Sequence, residues 1–330
     1  MTERPIFVVG FQRSGTTLLQ SLLGAHPRIA APPEVHFFFR IYQLRDYWGD
    51  LTDDDNARRV LRELVDAPAG MLDGCGFDEA ALVQTFLRTD RTYAALLDTL
   101  LSDFAVRQRK SRWSEKTPHQ RPGLIWSVFP DAQVVHIVRD PREVVASAVV
   151  AWPHEDPPWA IAERLNGFTR AALEDGASAA DDSYLRVRYE DLASAPGPVL
   201  RQVCAFLDEQ FDEHMTQPSA ERATAVGQLR PAWQTEAVAS VRPPRREWDQ
   251  RLSLAQRALV SASVRDTVTM LGYPRVSRRW TLAAAALAPL RLRFRREQRR
   301  RRQQMAQATS PQQQYDAVQE FLRTRPIQRS

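Results

Sequence analysis

Gly10-Phe11-Gln12-Arg13-Ser14-Gly15-Thr16-Thr17 is the stretch on which the reading of this chain turns. Its frame is that of a phosphate-binding loop: a glycine, four residues, a second glycine, and a hydroxyl two places on. Upstream, Ile6-Phe7-Val8-Val9 is an unbroken apolar run between Pro5 and Gly10, which suits a strand buried on both faces. Downstream, Leu18, Leu19, Leu22 and Leu23 recur at helical spacing as far as Gly24-Ala25-His26-Pro27. Strand, loop and helix form the context that gives the glycine spacing its meaning. The loop departs from the ATP-binding pattern at one point. Thr16 stands where a lysine is usual, and the cation, Arg13, lies three residues earlier. Backbone N–H groups at a helix N-terminus attract anionic oxygen. Ser14, Thr16 and Thr17 add hydroxyl donors, and the Arg13 guanidinium suits forked contact with phosphate or sulfate. A Walker-type loop sends its lysine to the γ-phosphate and its hydroxyl to Mg²⁺. Here the lysine position is taken, and His136-Ile137-Val138-Arg139-Asp140 puts an arginine ahead of the aspartate that would hold a metal. The loop therefore points to a phosphate-bearing donor used without metal.

Around this loop, strands and helices alternate. Arg112–Glu115, Gln133–Val138 and Tyr184–Arg188 read as further strands. Helices are expected over Pro118–Phe129, from Pro141 with Asp140 as N-cap, over Trp159–Glu174 and Pro198–Leu207, and within Leu252–Leu271. Val35–Trp48 is aromatic-rich and helical in pattern, and Asp53–Gln108 is helical with a break at Pro68 and Gly70. Alternation of this kind predicts an α/β fold: a central parallel sheet with helices on both faces, the three-layer P-loop nucleoside triphosphate hydrolase-like architecture. Composition shifts after Gly272-Tyr273-Pro274, which places the main domain at 1–275 and a basic, partly helical C-terminal extension at 276–330, frayed at its end.

The charge balance is local. The chain of 330 residues carries a formal +5, yet residues 291–330 alone hold eleven arginines against three acids. The body is thus no nucleic-acid binder, and the tail arginines lack the aromatic interleaving of single-strand binding. Trp280–Leu290 is apolar but too short for a bilayer span of about 20 residues. Followed by the block Arg291–Arg302, it has the make-up of an interfacial segment whose guanidiniums meet anionic lipid headgroups. A solvated basic helix or a packing arm is the plainer alternative. Met1–Pro5 runs directly into a strand with no signal-peptide pattern, so the expected location is cytoplasmic, with the tail at the inner face of the membrane. Cys75 and Cys204 have neither metal-ligand nor redox-pair spacing.

Several further stretches, in order along the chain, carry a family resemblance. Arg13-Ser14-Gly15-Thr16-Thr17-Leu18 resembles the 5′-phosphosulfate loop of sulfotransferases that use 3′-phosphoadenosine 5′-phosphosulfate (PAPS). Val138-Arg139-Asp140-Pro141-Arg142, with Ser147 eight residues beyond Arg139, resembles their 3′-phosphate site. Arg188-Tyr189-Glu190-Asp191-Leu192 resembles the segment whose tyrosine contacts the nucleotide, and Glu115-Lys116-Thr117-Pro118 one whose lysine reaches the sulfate bridge. Gly272-Tyr273 resembles the usual domain end, and Val241–Trp248 loosely resembles a late nucleotide loop, with Arg242 as its contact. The pattern is nearest to the bacterial and tyrosylprotein or carbohydrate branch, and it spans residues 5 to about 275.

That resemblance implies PAPS as donor, no metal, and an acceptor hydroxyl on a small molecule, glycolipid or lipid-like partner. Arg13, Ser14, Gly15, Thr16, Thr17, Leu18, Arg139, Ser147, Tyr189 and Arg242 would bind the donor. Arg13 and Lys116 would neutralise charge on the leaving phosphate and the transferred group. The tyrosylprotein branch places its catalytic glutamate after an Ala-His-Pro segment, which here implies Glu34 as general base, its pKa raised by apolar burial. His36 is the competing base. It stands where that branch carries an arginine, so a peptide tyrosine is not implied as acceptor. His119 is a weaker candidate, and His26 is structural in character. Phe37, Phe38, Phe39, Tyr42, Tyr47 and Trp48, with Trp152, Pro153, Pro157, Pro158 and Trp159, form either core or an apolar acceptor cleft. Two other function classes fit less well. A P-loop small-molecule kinase would need ATP, Mg²⁺ and a cation at residue 16. A non-catalytic, membrane-associated nucleotide-binding protein would have no use for Glu34 and Lys116.

Overall fold

Every side chain of Ile6–Val9, strand β1, is fully buried, because the strand lies at the centre of a parallel sheet covered on both faces. The computed structural model of the chain describes residues 3–66, 72, 75–152, 156–216, 247–274 and 310–324, with single residues 289, 292, 296 and 300 between. Among these the sheet order is β2-β3-β1-β4-β5. The other strands are β2 (Ile29–Ala30), β3 (Arg112–Lys116), β4 (Gln133–Val138) and β5 (Tyr184–Arg188). All pairings are parallel; Val8 sits opposite Lys116 on one side and Val135 on the other. The α/β three-layer expectation holds.

The pleat sorts the core into two layers. Phe7, Val9 and Val134 face a cluster built on α4 (Asp54–Val65), α5 (Glu79–Phe86), α6 (Tyr93–Arg107) and α7 (Pro122–Val128). Ile6, Val8, Val135 and Ile137 face α1 (Thr16–Gly24) and α11 (Pro196–Phe206), through Leu19, Leu22, Leu23, Leu200 and Val203. A third cluster joins Phe11 and Val138 to α8 (Pro141–Ala151), α9 (Pro158–Ala177), α12 (Trp248–Arg251), α13 (Leu254–Ser263) and α14 (Arg265–Met270). Asp140 caps α8 by accepting from the Arg142 N–H at 3.0 Å, with Pro141 at the first helical position, as its sequence predicts.

Two expectations change. Val35–Trp48 is not one helix but three short pieces: α2 (Phe37–Arg40), a 3₁₀ turn (Tyr42–Leu44) and α3 (Arg45–Trp48). Packing explains the break, since Phe37, Phe38 and Trp48 are buried while the backbone turns left-handed at His36 (φ 53°). For those three the core reading of the aromatic run is the right one. The helix expected from Pro118 starts at Pro122, because Thr117 and His119 donate their N–H groups to the Val8 and Gly10 carbonyls, 3.0 Å each, and prolong the strand edge. Within the extension one helix is described. Helix α15 (Pro311–Thr324) packs against α3: Tyr315 stacks on Tyr47 at 4.4 Å and donates to Glu63 at 3.1 Å, and Val318 is buried. Cys75 and Cys204 are free thiols, and burial pushes Cys204 up to about 11.

Candidate active site

The loop between β1 and α1 is closed tightly. Ser14 donates its N–H to the Phe11 carbonyl at 3.1 Å, and Arg13 and Gly15 both take positive φ, 67° and 100°. Gly15 is required there. A methyl carbon on it would stand 2.4 Å from Cδ2 of Tyr189, in a backbone region that costs other residues about 1–2 kcal/mol. The first residues of α1 then present free N–H groups at a helix start, with the Thr16 and Ser14 side chains buried and Thr17 half-buried. Leu18, expected among the donor contacts, is a core residue.

The cationic side of the site comes from four places in the chain. Arg13 donates from Nε to Ser147 Oγ at 3.0 Å, across 134 residues of sequence. Arg139, at the C-terminal end of β4, donates to the Arg13 carbonyl at 3.1 Å and lies over the Tyr189 ring at 4.3 Å. The structure brings Arg13, Arg139, Ser147 and Tyr189 together, with Arg13 as the link between Arg139 and Ser147. Burial, then the charges of Arg139 and Arg251, lower the Arg13 guanidinium to about 10. Trp152 sits 5.7 Å from Arg13 on the other side. The buried Nε of Arg139 has no hydrogen-bond partner among the described residues. A half-buried group of guanidiniums at a phosphate-type loop fits an anionic ligand. Arg242 and Pro153 lie outside the described residues. The charge of Arg251, from the same late part of the chain, acts on Arg13, and sequence reasoning did not name it.

A second group lies on the β2–β3 side. Glu34 precedes α2, whose first residue is Phe37, and lies outside that helix. One carboxylate oxygen, Oε2, meets Lys116 Nζ at 2.5 Å; the other, Oε1, meets His36 Nδ1 at 3.0 Å. Lys116 ends β3 and is buried. Burial pushes the Glu34 carboxyl up, but Lys116 and His36 more than reverse it and hold it far below the usual carboxylate range. This corrects the expectation of a raised pKa: Lys116, from β3, pairs with the carboxylate, so its surroundings are not only apolar. His119 is exposed, packs edge-on to Phe11 and contacts Gln12 Oε1 at 3.3 Å, outside this cluster. His26 is buried with Nε2 2.9 Å from the Gln210 carbonyl, a structural role.

Supporting residues that the sequence did not single out hold these groups. Glu190 accepts from the Asp140 N–H at 3.0 Å and from Tyr273 Oη at 2.6 Å, tying Tyr189 and Arg139 to the domain end. Glu143 accepts from the N–H groups of Glu247 and Trp248, at 2.9 and 3.1 Å, and so anchors α12, which carries Arg251. Glu115 accepts the Val35 N–H at 3.3 Å, beside Glu34. Glu190 and Glu115 are adjacent to motif residues, which was the signal available. Among the described residues, no group of three or more His, Cys, Asp or Glu is placed to hold a metal ion.

A parallel sheet with a phosphate loop at its centre, arginines at the strand ends and no lysine in the loop defines a P-loop-like transferase. The model of the Sulfotransferase family matches residues 5–213, and the chain belongs to that family. It is 22% identical over 222 residues to protein-tyrosine sulfotransferase A of Caenorhabditis elegans, covering 63% of this chain and 50% of the relative. It is 28% identical over 228 residues to nodulation protein NoeE of Sinorhizobium fredii, covering 61% and 49%. The chain thus spans about half the length of these curated relatives. Among solved structures, the sulfotransferase domain of the Synechococcus PCC 7002 olefin synthase shares the fold, with a TM-score of 0.52 and 23% identity, covering 83% of this chain and 97% of that domain.

Proposed function

We propose that this protein transfers a sulfuryl group from PAPS to an acceptor hydroxyl and releases 3′-phosphoadenosine 5′-phosphate (PAP). The observation that carries this reading is the joining of Arg139, Arg13 and Ser147 at a lysine-free loop, with family membership beside it. Ser14, Gly15, Thr16 and Thr17 cradle the 5′-phosphosulfate at the start of α1. Arg139 and Ser147 grip the 3′-phosphate and Tyr189 contacts the nucleotide; Arg242, outside the described residues, is assigned to the donor by resemblance alone. Arg13 and Lys116 steady charge on the transferred group and the leaving phosphate. No metal is needed, because guanidiniums fill the role that Mg²⁺ has in kinases. The acceptor proton leaves through the Glu34–His36 pair.

The acceptor class we assign is a hydroxyl-bearing small molecule or lipid-linked compound, approached past Trp152 and Trp159. The catalytic unit is residues 1–275 and the extension is 276–330, of which α15 packs on α3. The block Trp280–Arg302 lies largely outside the described residues. Its composition supports peripheral contact with an anionic membrane from the cytoplasm, and no described helix is long and apolar enough to cross one. Sedimentation with anionic but not neutral vesicles checks the membrane contact. Transfer of label from sulfur-labelled PAPS to a panel of alcohols, phenols and glycolipids tests the activity. Label transfer lost in Arg13→Ala is expected; phosphoryl transfer from ATP–Mg²⁺ in its place would contradict the reading.

A further inference from the structure

Glu34 and His36 sit on a stretch that local structure alone does not hold. The chain turns left-handed at His36, φ 53°, and the helix that follows, α2, has four residues. A helix so short does not sustain itself, so its support comes from elsewhere in the fold. On the sheet side, Glu115 accepts the Val35 N–H at 3.3 Å. On the far side the support is Arg40, the last residue of α2. Its backbone N–H donates to the His36 carbonyl at 2.9 Å and closes the turn. Its guanidinium is buried, with the side chain 1% exposed. Nη2 donates to the Glu63 carbonyl at 2.7 Å and to Glu63 Oε1 at 3.0 Å, while Nε and Nη1 have no hydrogen-bond partner among the described residues. A buried guanidinium stays where its counter-charge is held.

Glu63 is in turn fixed from the far end of the chain. Gln319 Nε2 donates to Oε1 at 2.8 Å and Tyr315 Oη to Oε2 at 3.1 Å, across 256 and 252 residues of sequence. Burial, then the Glu63 charge, pushes the Tyr315 phenol up to about 12, so it remains a donor. Tyr315, the buried Val318 and Gln319 share one face of α15. That face is seated by the Tyr315 ring, stacked on Tyr47 and edge-on to Trp48 at 5.5 Å. A continuous line of contacts thus runs from α15 through Glu63 and Arg40 to the turn at His36.

We propose that α15 positions the acceptor side of the site, with Tyr315, Gln319 and Glu63 as positioning residues that act through Arg40. This rests on the sulfotransferase reading for what the site does. The donor side is held by other partners: Arg13 joins Ser147 and Arg139, and Glu190 joins Asp140 to Tyr273. Loosening α15 should therefore impair acceptor turnover and leave donor binding in place.

Two variants of the full chain test it. Val318→Asp puts a charge into the seat of α15, and Tyr315→Phe with Gln319→Ala keeps the seat but removes both bonds to Glu63. Hydrogen exchange read by mass spectrometry needs no acceptor. Peptides over 36–41 should exchange about tenfold faster in both variants, while the loop at 10–17 keeps its protection. PAP titration should give the wild-type Kd. Turnover of para-nitrophenol with labelled PAPS should fall about 10–100-fold, as a small misplacement of reacting groups costs, with KM for PAPS unchanged. Wild-type protection over 36–41 in either variant overturns the proposal, as does faster exchange with wild-type turnover. A loss of PAP affinity or of protection in the loop also overturns it, because α15 would then be a general support of the fold. Failure of the wild type to bind PAP strikes the sulfotransferase reading instead, and the exchange result still decides whether α15 holds α2.

Discussion

Gly15→Ala is the sharpest small perturbation of the donor loop. The added methyl carbon would lie 2.4 Å from Cδ2 of Tyr189 and 3.2 Å from Cδ1 of Ile137, on a residue whose φ is 100°. Two costs arise. Left-handed backbone costs a residue with a Cβ about 1–2 kcal/mol. Overpacking against an aromatic ring costs about 1–3 kcal/mol more, since the ring must leave its place over Arg139. Together they should lower the unfolding free energy by about 2–5 kcal/mol, a large share of an ordinary domain's stability. Moving the ring also removes a cation–π contact of about 0.5–2 kcal/mol, so PAP affinity should fall about tenfold. The decisive assay is a double-mutant cycle in urea with Tyr189→Ala. Without the ring, Gly15→Ala should cost only its backbone part, giving a coupling of about 1–3 kcal/mol. Additive costs would refute the reasoning, because they would mean that Gly15 is not there to admit Tyr189.

Other outcomes follow from the same contacts. Burial and the charge of Arg186 push the buried His136 ring down to about 3 from its ordinary 6.5. The folded protein holds it neutral while the unfolded chain protonates, so this contribution to stability is complete above about pH 6.5 and falls away as pH drops toward 3. In His136→Phe the pH dependence of unfolding over that window should lessen by about one proton, and an unchanged slope would count against it. Tyr315→Ala removes the stack on Tyr47 and the bond to Glu63, and should cost about 1–3 kcal/mol in urea unfolding, with Trp48 fluorescence shifting as α15 leaves. No change in either signal would mean that α15 does not rest on α3 in solution.

The sheet was legible where burial writes itself into long apolar runs. β1, β4 and β5 sit where their side-chain patterns put them, and the glycine spacing located the loop and α1. β2 was not legible, because two residues, Ile29 and Ala30, carry no periodicity. The Phe37–Trp48 stretch misled because its aromatic spacing suits a helix, while the left-handed turn at His36 and the burial of Phe37, Phe38 and Trp48 set its path. In the site, Arg13, Arg139, Ser147 and Tyr189 could be named one by one from local motifs. The bond from Arg13 to Ser147, the charge of Arg251 acting on Arg13 and the capture of Glu34 by both Lys116 and His36 join distant segments or depend on side-chain direction, which local pattern does not record. The raised Glu34 pKa was mistaken for that reason, since its sequence neighbours are mostly apolar while Lys116 comes from another strand.

The central claim is that the lysine-free loop and Arg139 form a nucleotide site for PAPS that works without metal. Calorimetric titration of PAP, with ATP–Mg²⁺ as control, on the wild type and Arg139→Ala tests it most directly. Tight binding of PAP in the presence of chelator, weakened at least tenfold in Arg139→Ala and not matched by ATP–Mg²⁺, is the predicted result. Preference for ATP–Mg²⁺, or PAP binding unchanged without the Arg139 guanidinium, would contradict the account.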